Sequence, residues 1–344
     1  MSLTTVFQNN ECKTIQLELS GGGAHGAYEC GALEALLPFW QAKGFKFDTI
    51  TGVSAGAVNA ALLTYAANSG QLNHAPRIMI DFWHDVGKLG DMYLAPFLDM
   101  HRLTNTFNLF ANPNDRFPNI PRYLTESMKL NGKSALPLQS LRNLLETHIP
   151  AQGWEHIRSG EVDMVIGSLK VDRQSGERLP VRFSDMRLSP ETVLASAALR
   201  DFAPHHVEGD LYEDGGYDKI GFFLEDRKTD VLFAIGLKPL KNVAEFEDHR
   251  GVKTGQLHHD LARFYLNPDR KAHIDLLCMD HPDYWNETSG MNNTSRNLGM
   301  LYEMGKRDAL AWIEDHGAGF GKQSSFRPSE ALIRQVRPPE PIAA

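Results

Sequence analysis

Phe45-Lys46-Phe47-Asp48-Thr49-Ile50-Thr51-Gly52-Val53-Ser54-Ala55-Gly56 carries the reading of the fold. Phe45 to Ile50 alternates as a short strand, the turn holds a serine between two glycines, and the alanine-rich stretch from Ala55 to about Ala67 is a helix small enough to pack closely on a sheet. Gly52 and Gly56, two places either side of Ser54, permit a strained strand-to-helix elbow that lifts the hydroxyl clear of its neighbours. One unit upstream the pattern repeats. Thr14 to Leu19 alternates like a strand, Gly21-Gly22-Gly23-Ala24-His25-Gly26 is a glycine loop, and Ala27 to Trp40 has apolar residues at helical spacing. The chain therefore opens β-α-β-α.

The two turns suggest complementary chemistry. A serine on an exposed elbow is a candidate nucleophile. Backbone N–H groups of a glycine loop at a helix N-terminus can point at the negative charge that develops on an attacked carbonyl.

Further along, an irregular helical insertion is expected over about 72–137, where aromatic and methionine residues such as Phe82, Trp83, Met92, Phe107 and Phe117 are interspersed with Pro, Asn and Asp. Such aromatics form either plain core or a lipid-facing lid. Leu138 to Ile149 reads as a helix, Val162 to Leu169, Val171 and Leu179 to Phe183 as strands, the latter two joined at Gln174-Ser175-Gly176, and Pro190 to Leu199 as a helix. A loop then leads to Asp214-Gly215-Gly216. Val231 to Leu237 has the unbroken apolar run of a buried strand. Helices from about Gly255 to Phe264 and from Asn297 to His316 flank a strand at His273 to Met279.

Composition narrows the function classes. The 344 residues carry 35 basic against 43 acidic side chains, net −8, which gives no general attraction to nucleic acid or an anionic bilayer. Three cysteines, Cys12, Cys30 and Cys278, lack metal-ligand spacing and suggest reduced thiols and a cytoplasmic protein. No metal and no cofactor is expected. Met1 to Gln16 has neither a basic nor an apolar signal region, and no apolar run approaches 18 residues, so neither a Sec signal nor a transmembrane segment is expected.

Together the glycine loop, the Gly-Val-Ser-Ala-Gly elbow and Asp214-Gly215-Gly216 resemble the patatin-like phospholipase family over roughly Leu17 to Tyr217. Ala195-Ser196-Ala197-Ala198, Pro204 and the helix from Tyr302 through Gly305 to Trp312 are further similarities. The resemblance implies a doubly wound, mostly parallel α/β sheet flanked by helices. One hydrolase domain over 1–325, with an α/β extension over about 230–325 and a flexible tail over 326–344, is the corresponding domain reading. It also implies a Ser–Asp dyad: Ser54 as nucleophile, Asp214 as its base, and the Gly21–Gly26 loop as oxyanion hole. The implied partner is a phospholipid, lysophospholipid or other lipid ester, met through peripheral membrane contact. Two positions depart from the family pattern. His25 stands where arginine or lysine is common, and Asp218-Lys219-Ile220-Gly221 follows the aspartate loop where asparagine and proline are frequent.

Other readings stay open on sequence alone. Asp214 could simply form an Asx turn before two glycines. Gly21, Gly23 and Gly26, with Asp48 as a ribose ligand, fit a dinucleotide-binding fingerprint. A Ser-Asp-His triad of α/β-hydrolase type would recruit His273 or His281.

Overall fold

The computed structural model describes residues 13–108, 138–199, 205–217, 223–237, 256–281 and 289–336, with side chains of 93–108, 256 and 289 left aside. Strand β1 (Lys13–Leu19) leads through a turn at Gly23–His25 into α1 (Gly26–Ala42), and β2 (Phe45–Val53) leads through Ser54 into α2 (Ala55–Asn68). These agree with the alternating and helical patterns of the sequence, except that β2 continues three residues further, to the elbow itself.

Then come α3 (Ala75–Asn108), α4 (Leu138–His148), α5 (Ala151–Ser159), β3 (Asp163–Val171), β4 (Arg178–Ser184), α6 (Pro190–Ser196), β5 (His205–Val207) and β6 (Asp210–Asp214). The chain continues with β7 (Val231–Gly236), α7 (Gln256–Leu266), β8 (His273–Cys278), α8 (Ser295–His316) and α9 (Glu330–Val336). Eight strands form one sheet in the order β5-β6-β3-β2-β1-β7-β8, with β4 on β3. Strands β3, β2, β1, β7 and β8 run parallel; β4, β5 and β6 are antiparallel additions.

Both faces of the sheet are covered, as a doubly wound architecture requires. Ile15, Leu17 and Leu19 of β1 pack into the larger core with Leu33, Leu36 and Trp40 of α1 and Leu301 and Trp312 of α8. On the other face Val53, Leu232, Ala234 and Ile274 meet Leu257, Leu261 and Phe264 of α7. Helices α1 and α8 touch backbone to backbone. A Cβ on Gly31 would lie 1.9 Å from Tyr302 O, and one on Gly305 would lie 2.0 Å from Tyr28 O. Glycine is the residue that permits this approach, so α8, near the far end of the chain, is built into the same layer as the first helix.

Three expectations are corrected. The insertion begins with a regular 34-residue helix, α3, rather than irregular structure. Phe82 and Trp83 on it are core residues, while Met92 is exposed and Phe107 and Phe117 lie outside the described side chains. The loop assigned before Asp214 is the hairpin β5–β6, too short and too polar to show alternation. The segment expected to be a flexible tail starts with a buried Phe326 whose N–H donates to Ile274 O at 3.0 Å, and α9 packs Leu332 and Val336 on the α7 face. Only 337–344 of that tail lie outside the described residues. No helix among the described residues is long and apolar enough to cross a membrane.

Candidate active site

The register of β3 explains how two residues 160 positions apart come to share a site. Strand β2 runs beside the first half of β3 and ends with Val53 opposite Gly167. Strand β6 runs antiparallel beside the second half, with Asp214 opposite Ser168. Because β4 occupies the other edge of β3 over Val165 to Val171, β2 and β6 must lie on the same edge. Their C-terminal ends therefore meet head to head. Ser54 follows the last residue of one strand and Asp214 is the last residue of the other.

Ser54 has φ 55° and ψ −123°, a conformation rarely taken by a non-glycine residue. The two elbow glycines are required by space: a Cβ on Gly52 would stand 2.3 Å from Gly56 O, and one on Gly56 would stand 2.2 Å from Leu19 O. Strain of this kind, on the order of 1–3 kcal/mol, persists where the surroundings impose it. Here the sheet edge beneath and helix α2 ahead impose it. Ser54 and Asp214 are both buried, at 9% and 3% exposure.

The Asx turn anticipated as the bland alternative does exist, since Gly216 N–H donates to Asp214 Oδ1 at 2.8 Å. It is compatible with the functional reading, because a backbone donor on one oxygen fixes the plane of the carboxylate. Gly215 is confined as well: its Cβ would lie 2.8 Å from both Gly167 O and Val53 Cγ2. Residues 218–221 and Pro204 lie outside the described residues.

The glycine loop passes directly beside the elbow, where a Cβ on Gly21 would be 3.0 Å from Ser54 Cβ. Within the loop the His25 N–H donates to Gly22 O at 3.2 Å and the Gly26 N–H is turned onto Gly23 O and Ala24 O. Of the Gly21–Gly26 set, those two amides are thus spent within the loop. Gly26 is pinned from behind: Asn59 Nδ2 donates to its carbonyl at 2.9 Å and to Glu29 Oε2 at 2.8 Å, while Trp83 Nε1 donates to Asn59 Oδ1 at 2.9 Å. Burial holds the Glu29 carboxyl well above the usual carboxylate range. The His25 ring is buried in the loop.

One element of the site gave no signal in the sequence. The turn Ser289–Met291 lies against the glycine loop, so that a Cβ on Gly23, at φ +58°, would meet Gly290 O at 2.2 Å. The same strap is held on its other side by α3. Ser295 N–H donates to Asp91 Oδ1 at 3.0 Å, and Gly90 leaves room for Asn293 O. A lone glycine in a polar stretch has no periodicity by which to be recognised.

The other sequence readings do not converge here. His273 opens β8, level with Val231, Ile15 and Phe47, hence roughly 20 Å along the strands from Val53. His281 pairs with Asp308 at 2.8 Å beyond the end of β8, three strands and on the order of 14 Å from β2. His205 bonds Glu191 at 2.8 Å, and His206 faces Arg173 at 3.1 Å. Asp48 is the bulged residue of β2, about five residues short of the strand end, and its carboxylate engages Thr49 Oγ1 and Arg227 rather than a crevice beside the glycine loop. Among the described residues no group of three or more His, Cys, Asp or Glu side chains could hold a metal ion.

The patatin-like phospholipase family model matches residues 17–222. Among solved structures the chain is similar to VipD from Legionella pneumophila, with 13% identity and a TM-score of 0.35 over 95% of this chain and 73% of that one. It is also similar to ExoU in the heterodimeric ExoU-SpcU complex from the type III secretion system of Pseudomonas aeruginosa, with 16% identity and a TM-score of 0.34. That match covers 88% of this chain and 52% of that one, so the chain spans about half the length of ExoU. No curated protein sequence matches the chain.

Proposed function

Because the chain belongs to the patatin-like phospholipase family, we propose that it is a lipid acyl hydrolase cleaving carboxyl esters of phospholipids or lysophospholipids through Ser54 and Asp214. The observation that carries this reading is the meeting of β2 and β6 at Gly167 and Ser168 of β3, which brings the serine elbow and the aspartate turn to one point on the sheet.

In this reaction Ser54 Oγ attacks the ester carbonyl while the Asp214 carboxylate takes the hydroxyl proton. The carbonyl oxygen becomes an oxyanion facing the amides of Gly22, Gly23 and Ala24, donors already held in place so that no reorganisation is needed as charge develops. Collapse expels the alcohol, which leaves with the proton from Asp214. Asp214 then removes a proton from water as the water oxygen adds to the acyl carbon; collapse breaks the bond to Ser54 Oγ, releases the fatty acid and returns the proton from Asp214 to Oγ. A carboxylate is a weaker base than an imidazole at neutral pH. Asp214 is buried, a setting in which a hydrogen bond from the serine hydroxyl is stronger than in water.

Labelling with a fluorophosphonate tests the assignment. The probe should modify Ser54 and no other serine, and Ser54→Ala should abolish both labelling and hydrolysis of a phospholipid mixture. A label mapped to another serine, or full ester hydrolysis by Ser54→Ala, would remove the proposal.

A further inference from the structure

The gap where β2 stops and β6 starts leaves backbone groups without strand partners, and one buried side chain fills it. Ser54 N–H lies just past the last β2 pair, and Gly167 O lies at the junction. The Ser196 hydroxyl accepts the Ser54 N–H at 2.8 Å and donates to Gly167 O at 2.6 Å. A hydroxyl is the smallest side-chain group that can donate and accept at once. Ser196 is fully buried, at 0% exposure, so these bonds form in a dry setting where they are strong and where losing them is costly.

The same short segment also holds the aspartate. Asp214 N–H donates to Ala198 O at 2.8 Å. One residue before Ser196, Ala195 O shares the single Ser168 Oγ proton with Glu213 O, at 3.2 Å and 2.9 Å. The end of α6 and the residues just after it are thus bonded to the residue after β2, to both junction residues of β3 and to Asp214 at the end of β6. Among the described residues, Ser196 is the side chain that anchors the nucleophile's main chain. Ser54 stands at a strained φ, so an N–H released from that anchor gives the elbow a direction in which to relax.

We propose that Ser196 is a positioning residue that fixes Ser54 Oγ relative to the Asp214 carboxylate, touching neither substrate nor the reacting atoms. The inference rests on the reading of Ser54 and Asp214 given above. Loss of the hydroxyl shifts the elbow, slowing proton transfer and attack, while substrate binding elsewhere in the site is unchanged.

The test compares Ser196→Ala, Ser196→Thr, Asn68→Ala and Ser54→Ala in the full chain on one fatty-acyl ester, with fluorophosphonate labelling rates and thermal melting. Asn68 is the control: its amide makes two hydrogen bonds to Val162, both 3.0 Å, at the opposite end of α2. Ser196→Ala should lower kcat and the labelling rate by about 10- to 100-fold with KM within about twofold, the effect expected of a misplacement near 1 Å. Ser196→Thr, which keeps the oxygen, should retain kcat within about threefold. Asn68→Ala should lower Tm with kcat unchanged. Should Ser196→Ala not fold, Ser196→Cys carries the same expectation, because sulfur keeps the volume but bonds poorly. Wild-type kcat in a folded Ser196→Ala, beside an inactive Ser54→Ala, overturns the role of Ser196 alone. So does a loss of kcat that tracks Tm equally in Ser196→Ala and Asn68→Ala. Activity retained by Ser54→Ala overturns the reading of the site and this inference with it.

Discussion

Replacing Gly23 by alanine probes the strap and the oxyanion loop together, and the structure sets its size. Gly23 adopts φ +58°, a left-handed conformation that costs alanine about 1–2 kcal/mol by itself. The added Cβ would also stand 2.2 Å from Gly290 O, and real Cβ contacts do not fall below 3.0 Å. The loop or the strap must therefore move by at least about 0.8 Å. A displacement near 1 Å at a reacting geometry costs roughly 100-fold in rate, or about 2.7 kcal/mol of barrier. Gly44→Ala is the matched comparison, because Gly44 has φ +77° with nothing within 4 Å of the new methyl. Both variants should lose comparable stability from backbone strain, but only Gly23→Ala should lose kcat. The assay is steady-state hydrolysis of one fatty-acyl ester by each purified variant, with Tm measured alongside. A folded Gly23→Ala with kcat within about threefold of wild type would refute both the placement of the oxyanion at this loop and the rigidity of the strap.

The remaining predictions separate the groups of the site from those around it. Asp214→Asn keeps shape but cannot accept a proton, so kcat should fall by at least about 100-fold, whereas alanine at His205, His206, His273 or His281 should cost less than about tenfold. A histidine variant as inactive as Ser54→Ala, beside an active Asp214→Asn, would replace the dyad by a triad. On α7, burial with a smaller contribution from His259 pushes His258 down to about 4, and neither ring nitrogen has a partner among the described residues. The native state holds His258 neutral while the unfolded chain takes a proton near pH 6.5. Stability is therefore full above that value and falls as pH drops from 6.5 toward 4, by about 2 kcal/mol at pH 5. His258→Leu should flatten the decline of Tm between pH 7 and pH 5; parallel declines in variant and wild type would rule this account out.

Much of this protein was legible before any coordinates. Alternating apolar residues at Ile15, Leu17 and Leu19, the Gly-Val-Ser-Ala-Gly elbow and the alanine-rich α2 are local signals, since each depends on the geometry of a few neighbouring residues. They fixed the β-α-β-α opening, the candidate nucleophile and the glycine loop. Asp214-Gly215-Gly216 was weaker, because an Asx turn is all that three residues specify, and the turn is indeed there. What gives that aspartate its place is the register of β3, a property of strands far apart in the chain. The hairpin β5–β6 was missed because three- and five-residue polar strands carry no alternation; their pairing is decided by the edge of β3 left vacant beyond Val53. Ser196 and Gly290 show the same division. Nothing in Ala-Ser-Ala-Ala says that its hydroxyl bridges two unpaired backbone groups, and nothing around Gly290 says that its carbonyl rests on Gly23. Sequence sets the conformations that residues prefer; only the packed sheet decides which unsatisfied groups and which bare backbones are brought face to face.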